Sequence, residues 1–195
     1  MSERRNTEAR QVELTDAALN IIATRGISAL TTRSLAAEVG LSSGAIFRHF
    51  ASLDALLDAV VGRVEAVLDG TFPPPELPPL ERLERFIEAR SVAVGDRQGI
   101  LRLVLSEQFL LALPESGSER LTACVDKTRR FILSCLRDGQ AEGGVRADLP
   151  VETLAPIVMG TIQVLARSRL KGRRREEEVR AVAGSLLAML RPGRE

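Results

Sequence analysis

The sequence predicts an all-α fold, and three observations carry that expectation. Apolar residues recur at spacings of three and four through most of the 195 residues. Alternating Val/Ile/Thr runs bounded by turns, the mark of half-buried strands, are almost absent. Helix start and stop signals bracket the periodic segments, with Arg25-Gly26, Gly40 and Gly143-Gly144 as stops.

The elements follow in order. Leu14, Ala18, Ile21 and Ile22 form one stripe, closed by Arg25-Gly26. Thr31 or Thr32 can cap a short helix carrying Leu35, Ala36 and Val39, which Gly40 ends. Ser42 can cap the next, with Ile46 and Phe47. A longer helix from about Ser52 buries Leu56, Leu57, Val60, Val61, Val64 and Leu68. The stretch TFPPPELPP, Thr71 to Pro79, cannot continue it, because proline lacks the amide proton and fixes φ; a stiff loop is expected. Five helical patterns come after it: about Leu80 to Gly95, Gly99 to Leu113, Ser118 to Ala141, one over Leu154 to Ala166 with Asp148 as its cap, and one over Val179 to Leu190. The domains expected are 1–50, a connecting helix over 51–70, a proline-rich loop over 71–79, and 80–195.

Composition narrows the function. With 45% hydrophobic and 27% charged residues, the chain is long enough to bury a substantial core. No apolar run approaches the roughly 18 residues of a membrane helix. The start, MSERRNTEAR, has no apolar leader, so a cytoplasmic protein is expected. Cys124 and Cys135 lie on one predicted helix, too far apart to bridge, and read as small buried hydrophobes. One histidine and no Cys-x-x-Cys leave no metal site. With no phosphate loop and no nucleophilic triad, neither a cofactor nor an enzyme is expected. A net charge of +1 means that any nucleic-acid contact must come from local charge.

Two short helices joined by a tight turn, after a longer one, read either as a plain three-helix core with a glycine turn or as a helix-turn-helix, whose second helix enters the DNA major groove. The latter explains why Ser42, Ser43, Gly44 and Ala45 are small: the first turn can approach a duplex closely. Its unpaired backbone N–H groups and the serine hydroxyls are donors for phosphates or base edges. Thr31, Thr32 and Arg33 open the preceding helix, and Arg33 is long enough to reach a base or a phosphate. Arg48 and His49 close the second helix and suit phosphates. Phe47 either packs inward or lies against the sugar-phosphate.

Leu14 to Leu57 resembles the N-terminal domain of the tetracycline-repressor (TetR) family. The Asp16-Ala17-Ala18-Leu19 run, Arg25-Gly26, Thr31, Leu35-Ala36, Gly40, Ser42, Gly44, His49-Phe50 and Leu56-Leu57 stand at the family's spacings. The resemblance implies a dimeric, sequence-specific transcription regulator, usually a repressor released from a pseudo-palindromic DNA operator by a small-molecule effector. Two positions depart from the family pattern. Phe47 replaces a customary tyrosine and Leu53 a customary lysine, so two phosphate contacts are missing; Arg33, Arg48 and a basic arm with Arg4, Arg5 and Arg10 are the compensating candidates.

In the larger domain, Arg90 falls inside the stripe of Leu80, Leu83, Phe86, Ile87 and Val94. Glu107 does likewise among Ile100, Leu103, Val104 and Leu111. The two either pair, fixing helix register, or line a ligand pocket. Ser106, Phe109, Thr128, Phe131 and Gln163 are the other pocket candidates, and the absence of Trp and Tyr favours an aliphatic or small polar ligand. The last two helices read as the dimer surface, with Ile157, Gly160, Leu165, Val179, Val182, Ala183, Leu186, Leu187 and Leu190 as its residues, and Gly160 and Gly184 permitting close approach. The basic run Arg167 to Arg175 reads as a solvated loop and helix end. A rival from another class is an interaction protein that uses the same fold to hold partners without an effector.

Overall fold

The computed structural model describes residues 2–96, 100, 107–168 and 170–193, without the side chains of 2–6, 96, 107 and 108. Among these residues every regular element is helical. In order they are α1 (Ser2–Arg25), a 3-10 turn (Ile27–Ala29), α2 (Thr32–Val39), α3 (Ser43–Ile46), α4 (Leu53–Asp69), α5 (Pro79–Asp96), α6 (Glu107–Ala112), α7 (Glu115–Ala141), α8 (Val151–Ala166) and α9 (Arg173–Leu190). Most of the helix expected over 99–113 lies outside the described residues. Contacts divide the chain into two compact units, Met1–Ala66 with Arg97–Ala123, and Val67–Asp96 with Cys124–Glu195.

The first unit is built on local signals that the sequence carries in full. Leu14, Ala18, Ile21 and Ile22 of α1 are buried, as are Leu35 and Ala36 of α2, Ile46 of α3 and Leu56, Leu57, Val60, Val61 and Val64 of α4. Gly26 and Gly40 sit at φ 86 and 68, where a side chain would strain the backbone. At Gly40 the left-handed residue closes α2, and the Leu41 amide donates to the Ala36 carbonyl at 2.9 Å. Thr31 begins α2 with a capping box: its hydroxyl accepts from the Ser34 amide at 3.0 Å, and the Thr31 amide donates to the Ser34 hydroxyl at 2.9 Å. Ser42 caps α3 and Ser52 caps α4, accepting from the Ala45 and Ala55 amides at 3.3 and 3.1 Å. Arg63 of α4 grips Asp16 of α1 through two hydrogen bonds, and Arg120 of α7 bonds both Asp58 and Glu65.

In the second unit α5 packs on α8 and α9. Leu83, Phe86 and Ile87 meet Ile132 and Leu136 of α7, Leu154, Val158 and Ile162 of α8, and the inward stripe of α9. At Gly139 the approach is close: a Cβ there would lie 2.6 Å from Val145, so the turn after α7 folds back onto it only because that side chain is absent.

Several expectations give way here. Leu165, Val179, Ala183, Leu186, Leu187 and Leu190, taken as dimer residues, are 6% exposed or less and belong to the core of the single chain. One apolar stripe cannot serve two partners, and α5 takes it. Ile157 and Val182 do face outward, joined by Val164 and Met189, while nothing in the chain lies within 4 Å of a Cβ built at Gly160 or Gly184. Asp148 does not cap α8, which starts after Pro150 with no side-chain cap, because Asp148 binds Arg146 at 2.7 Å. Leu111 points to solvent, 86% exposed, and Cys124 is only half-buried, whereas Cys135 is buried.

The largest surprise is Arg175, from the run expected to be solvated. It is 4% exposed, and its Nη2 donates to the carbonyls of Ser91 at 2.9 Å and Leu165 at 3.3 Å. Its guanidinium occupies the space that a side chain at Gly95 would need. One cation therefore ties α9 to α5 and α8 by satisfying carbonyl oxygens across their ends.

Candidate nucleic-acid interface

The candidate contact surface is what the first unit leaves uncovered around α2 and α3. Ser42, Ser43 and Gly44 are exposed at the start of α3, and Thr31 and Arg33 are exposed at the start of α2, with Thr32 half-buried. The open first turn has a local cause. Ala45 and Ile46 face inward, 4% and 2% exposed, and anchor α3 so that the three small residues before them project outward. The Ala45 methyl, expected to face the duplex with its neighbours, is instead part of the core. No atom lies within 4 Å of a Cβ built at Gly44, so the surface beside it is open.

α3 is a single turn, shorter than the expected helix. Phe47 is its C-cap, and the chain winds on through 47–49 with the His49 and Phe50 amides both donating to the Ile46 carbonyl, at 2.9 and 3.0 Å. Phe47 is 51% exposed, which settles its orientation outward, beside exposed Arg48. His49 is less available than expected. It is half-buried, its Nδ1 is enclosed without a hydrogen-bond partner, and its carbonyl accepts from Gln11 Nε2 at 2.9 Å. Leu53, 38% exposed, opens α4 on the solvent side.

Charge is sorted on this surface. Arg10 pairs with Glu13, Arg25 with Glu38 and Arg63 with Asp16. Arg33 and Arg48 enter no ion pair among the described residues. The guanidiniums left for an external anion thus stand at the start of α2 and just after α3, flanking the small-residue turn. The basic N-terminal segment is helical from Ser2; Arg10 is spoken for, and the side chains of Arg4 and Arg5 lie outside the described residues.

The pocket candidates fall apart into groups. Phe86 and Phe131 come together, ring centroids 4.7 Å apart, and Arg90 lies over the Phe86 face at 4.9 Å. Thr128 is half-buried and its hydroxyl donates to the Cys124 carbonyl at 3.0 Å; Gln163 is half-buried on α8. Phe109 is buried but belongs to the first unit. Ser106 lies outside the described residues, as does the Glu107 side chain, and with it the expected ion pair to Arg90. Sequence reasoning passed over Phe72, within the proline stretch, which stacks on Phe86 at 5.3 Å and meets Phe131 edge-on at 5.1 Å. An aromatic among prolines was the available signal. Among the described residues no cluster of His, Cys, Asp and Glu could hold a metal, and no helix is long and apolar enough to cross a membrane.

Comparison with known proteins agrees with this geometry. Residues 14–60 match the family described as bacterial regulatory proteins, tetR family. The HTH-type transcriptional regulator SrpR of Pseudomonas putida is 29% identical over 189 residues, covering 94% of this chain and 86% of its own. The HTH-type transcriptional repressor KstR2 of Mycolicibacterium smegmatis is 27% identical over 168 residues, covering 82% of this chain and 78% of its own. The solved structure of the ketosteroid transcriptional regulator KstR2 of Mycobacterium tuberculosis superposes with a TM-score of 0.82 at 23% identity, over 94% of this chain and 96% of that one. Residues 14–60 carry a helix-turn-helix domain of the tetR family, and the chain is a DNA-binding transcription regulator.

Proposed function

We infer that the protein is a homodimeric repressor whose operator affinity a small-molecule effector lowers. The observation that carries the DNA-contact assignment is the pairing pattern of its arginines: Arg33 and Arg48, which flank the exposed turn of Ser42, Ser43 and Gly44, are left without carboxylate partners while their neighbours are paired. The first-turn amides and serine hydroxyls meet phosphate or base edges, Arg33 reads a base or clamps the backbone, and Arg48 holds a phosphate. Phe47 lies against sugar or a thymine methyl. Thr31 serves mainly as the cap that sets the angle of α2.

Dimerisation uses the outward residues of α8 and α9, Ile157, Val164, Val182 and Met189, with Gly160 and Gly184 open for a close neighbour. A twofold dimer places two readers on successive major grooves, which explains an operator of pseudo-palindromic form. An effector that binds better to the state with the wrong reader separation lowers affinity; a coupling of about 1–3 kcal/mol corresponds to roughly 5- to 150-fold.

The test is selection of binding fragments from genomic DNA, followed by titration of Arg33→Ala and Arg48→Ala against the selected site. Arg33→Ala should lower affinity and relax preference at one base position, costing about 1–3 kcal/mol if it reads guanine. Arg48→Ala should weaken all sequences alike. Two variants that bind as the parent does would remove both residues from the interface.

A further inference from the structure

We propose that the second unit holds an effector-recognition site in which Arg90 binds an oxyanion, a carboxylate or a phosphate, carried on an apolar body. This deepens the effector-responsive reading above and rests on it. Arg90 sits on the core face of α5 and is 4% exposed. Its flat faces are occupied: the guanidinium carbon lies 4.9 Å from the Phe86 centroid and 5.1 Å from that of Phe72. Its edges are not. Nε and Nη2 are enclosed and have no hydrogen-bond partner. Ring faces offset part of the charge's desolvation but offer no acceptor in the guanidinium plane, where all five N–H bonds point.

A second cation shares the Phe72 ring. Lys127 Nζ lies 5.0 Å from the Phe72 centroid and bonds Asp69 at 2.7 Å. Asp69 and the Cys124 thiol are the groups whose charge would favour the Arg90 cation, and their effect is smaller than that of burial, which pulls the guanidinium down to about 10. It remains charged at neutral pH. Phe72 and Phe131 are only partly buried, whereas Phe86 is fully enclosed, so the cluster grades from solvent at the proline-rich loop to apolar core. That gradient suits an amphiphile. Its anion meets the idle edge of Arg90, and its apolar part replaces the mutual contact of the three rings, which have no polar group of their own. A guanidinium fork binds oxyanions in two parallel hydrogen bonds, which no neutral ligand of the same shape reproduces.

The chain has no Trp or Tyr, so calorimetry replaces intrinsic fluorescence. Octanoate, octyl phosphate and octanol are titrated into the full-length protein and into Arg90→Met, with Arg90→Lys as a second variant and thermal melts of all three proteins. At least one anion should bind the parent about 10- to 100-fold more tightly than octanol, the range expected of charge-assisted hydrogen bonds. Preference for octanoate or for octyl phosphate tells carboxylate from phosphate, and either supports the site. Arg90→Met should lose that preference while melting no lower than the parent, because it removes an unpaired buried charge. Arg90→Lys should keep part of the preference without the fork. Equal binding of anion and octanol, no binding of either anion up to millimolar, or preference surviving in Arg90→Met overturns the proposal. DNA titration of the same preparations separates the failures: anion binding without DNA binding defeats the regulator reading alone, and DNA binding without anion binding defeats this site alone.

Discussion

Placing a lysine at Leu53 and a tyrosine at Phe47, the residues that the family resemblance implies for phosphate contact, should strengthen DNA binding in two distinguishable ways. Leu53→Lys adds a cation at an exposed position, and Phe47→Tyr adds one hydroxyl to a ring that is 51% exposed, so neither disturbs the core. In a dimer, two lysines neutralise two more phosphates and steepen the slope of log affinity against log salt by about 1.8. Between 50 and 200 mM salt that amounts to an extra loss of about 12-fold relative to the parent. The lysine also enters the first turn of α4, after the Ser52 cap, where the helix dipole disfavours a cation by about 0.3–1 kcal/mol. Asp54 next to it offsets some of this cost, and the DNA gain at low salt exceeds the remainder. Phe47→Tyr should raise affinity by about 0.5–1.5 kcal/mol per protomer and leave the slope unchanged, since a neutral hydroxyl releases no counterion. Fluorescence anisotropy against a selected fragment at four salt concentrations reads both effects. A parental slope in Leu53→Lys would refute the placement of α4's start beside the DNA backbone.

Other consequences are independent of DNA. Gly95→Ala puts a methyl on the buried Arg175 guanidinium and should cost about 3–5 kcal/mol in urea unfolding, as breaking a buried charge's partners does. Thr31→Ala removes the capping box of α2 and should cost about 1 kcal/mol, with a parallel loss of DNA affinity and no change in salt slope. Burial pushes the Cys135 thiol up to about 11, so it should react with a disulfide reagent only at the rate of unfolding. Its sign is fixed by the raised value: the neutral thiol's contribution is complete below the unfolded value near 9 and is lost as pH rises toward 11. The stability gap between the parent and Cys135→Ala, followed by urea unfolding from pH 8 to 11, should therefore narrow.

How much of this was legible in the sequence depends on the range of the interaction concerned. The caps at Thr31 and Ser42 and the glycine turns at Gly26 and Gly40 act within five residues, and their residue types announce them. So did the small-residue turn of the reader, except that Ala45 looked like its neighbours and instead faces the core. Partners far along the chain were not legible. Arg175 lies in a run of basic residues, and nothing local says that Gly95, eighty positions earlier, leaves room for its guanidinium. The spacing of Val179, Ala183, Leu186 and Leu190 correctly marks an apolar face, but periodicity does not say whether that face meets its own α5 or a second molecule. Arg90 was visible as a charge inside an apolar stripe, while its ring neighbour Phe72 was hidden in a stretch read for its prolines.

The most direct test of the central claim is one anisotropy titration of the parent protein with a fragment selected from genomic DNA, in the presence of scrambled competitor, across a range of salt. The account predicts binding that survives competition, falls steeply with salt, and is at least 10³-fold tighter than to the scrambled duplex, the lower end for specific recognition of about 10³–10⁷. Equal affinity for both duplexes, whatever the salt slope, would contradict it, leaving a fold that binds phosphate without reading sequence.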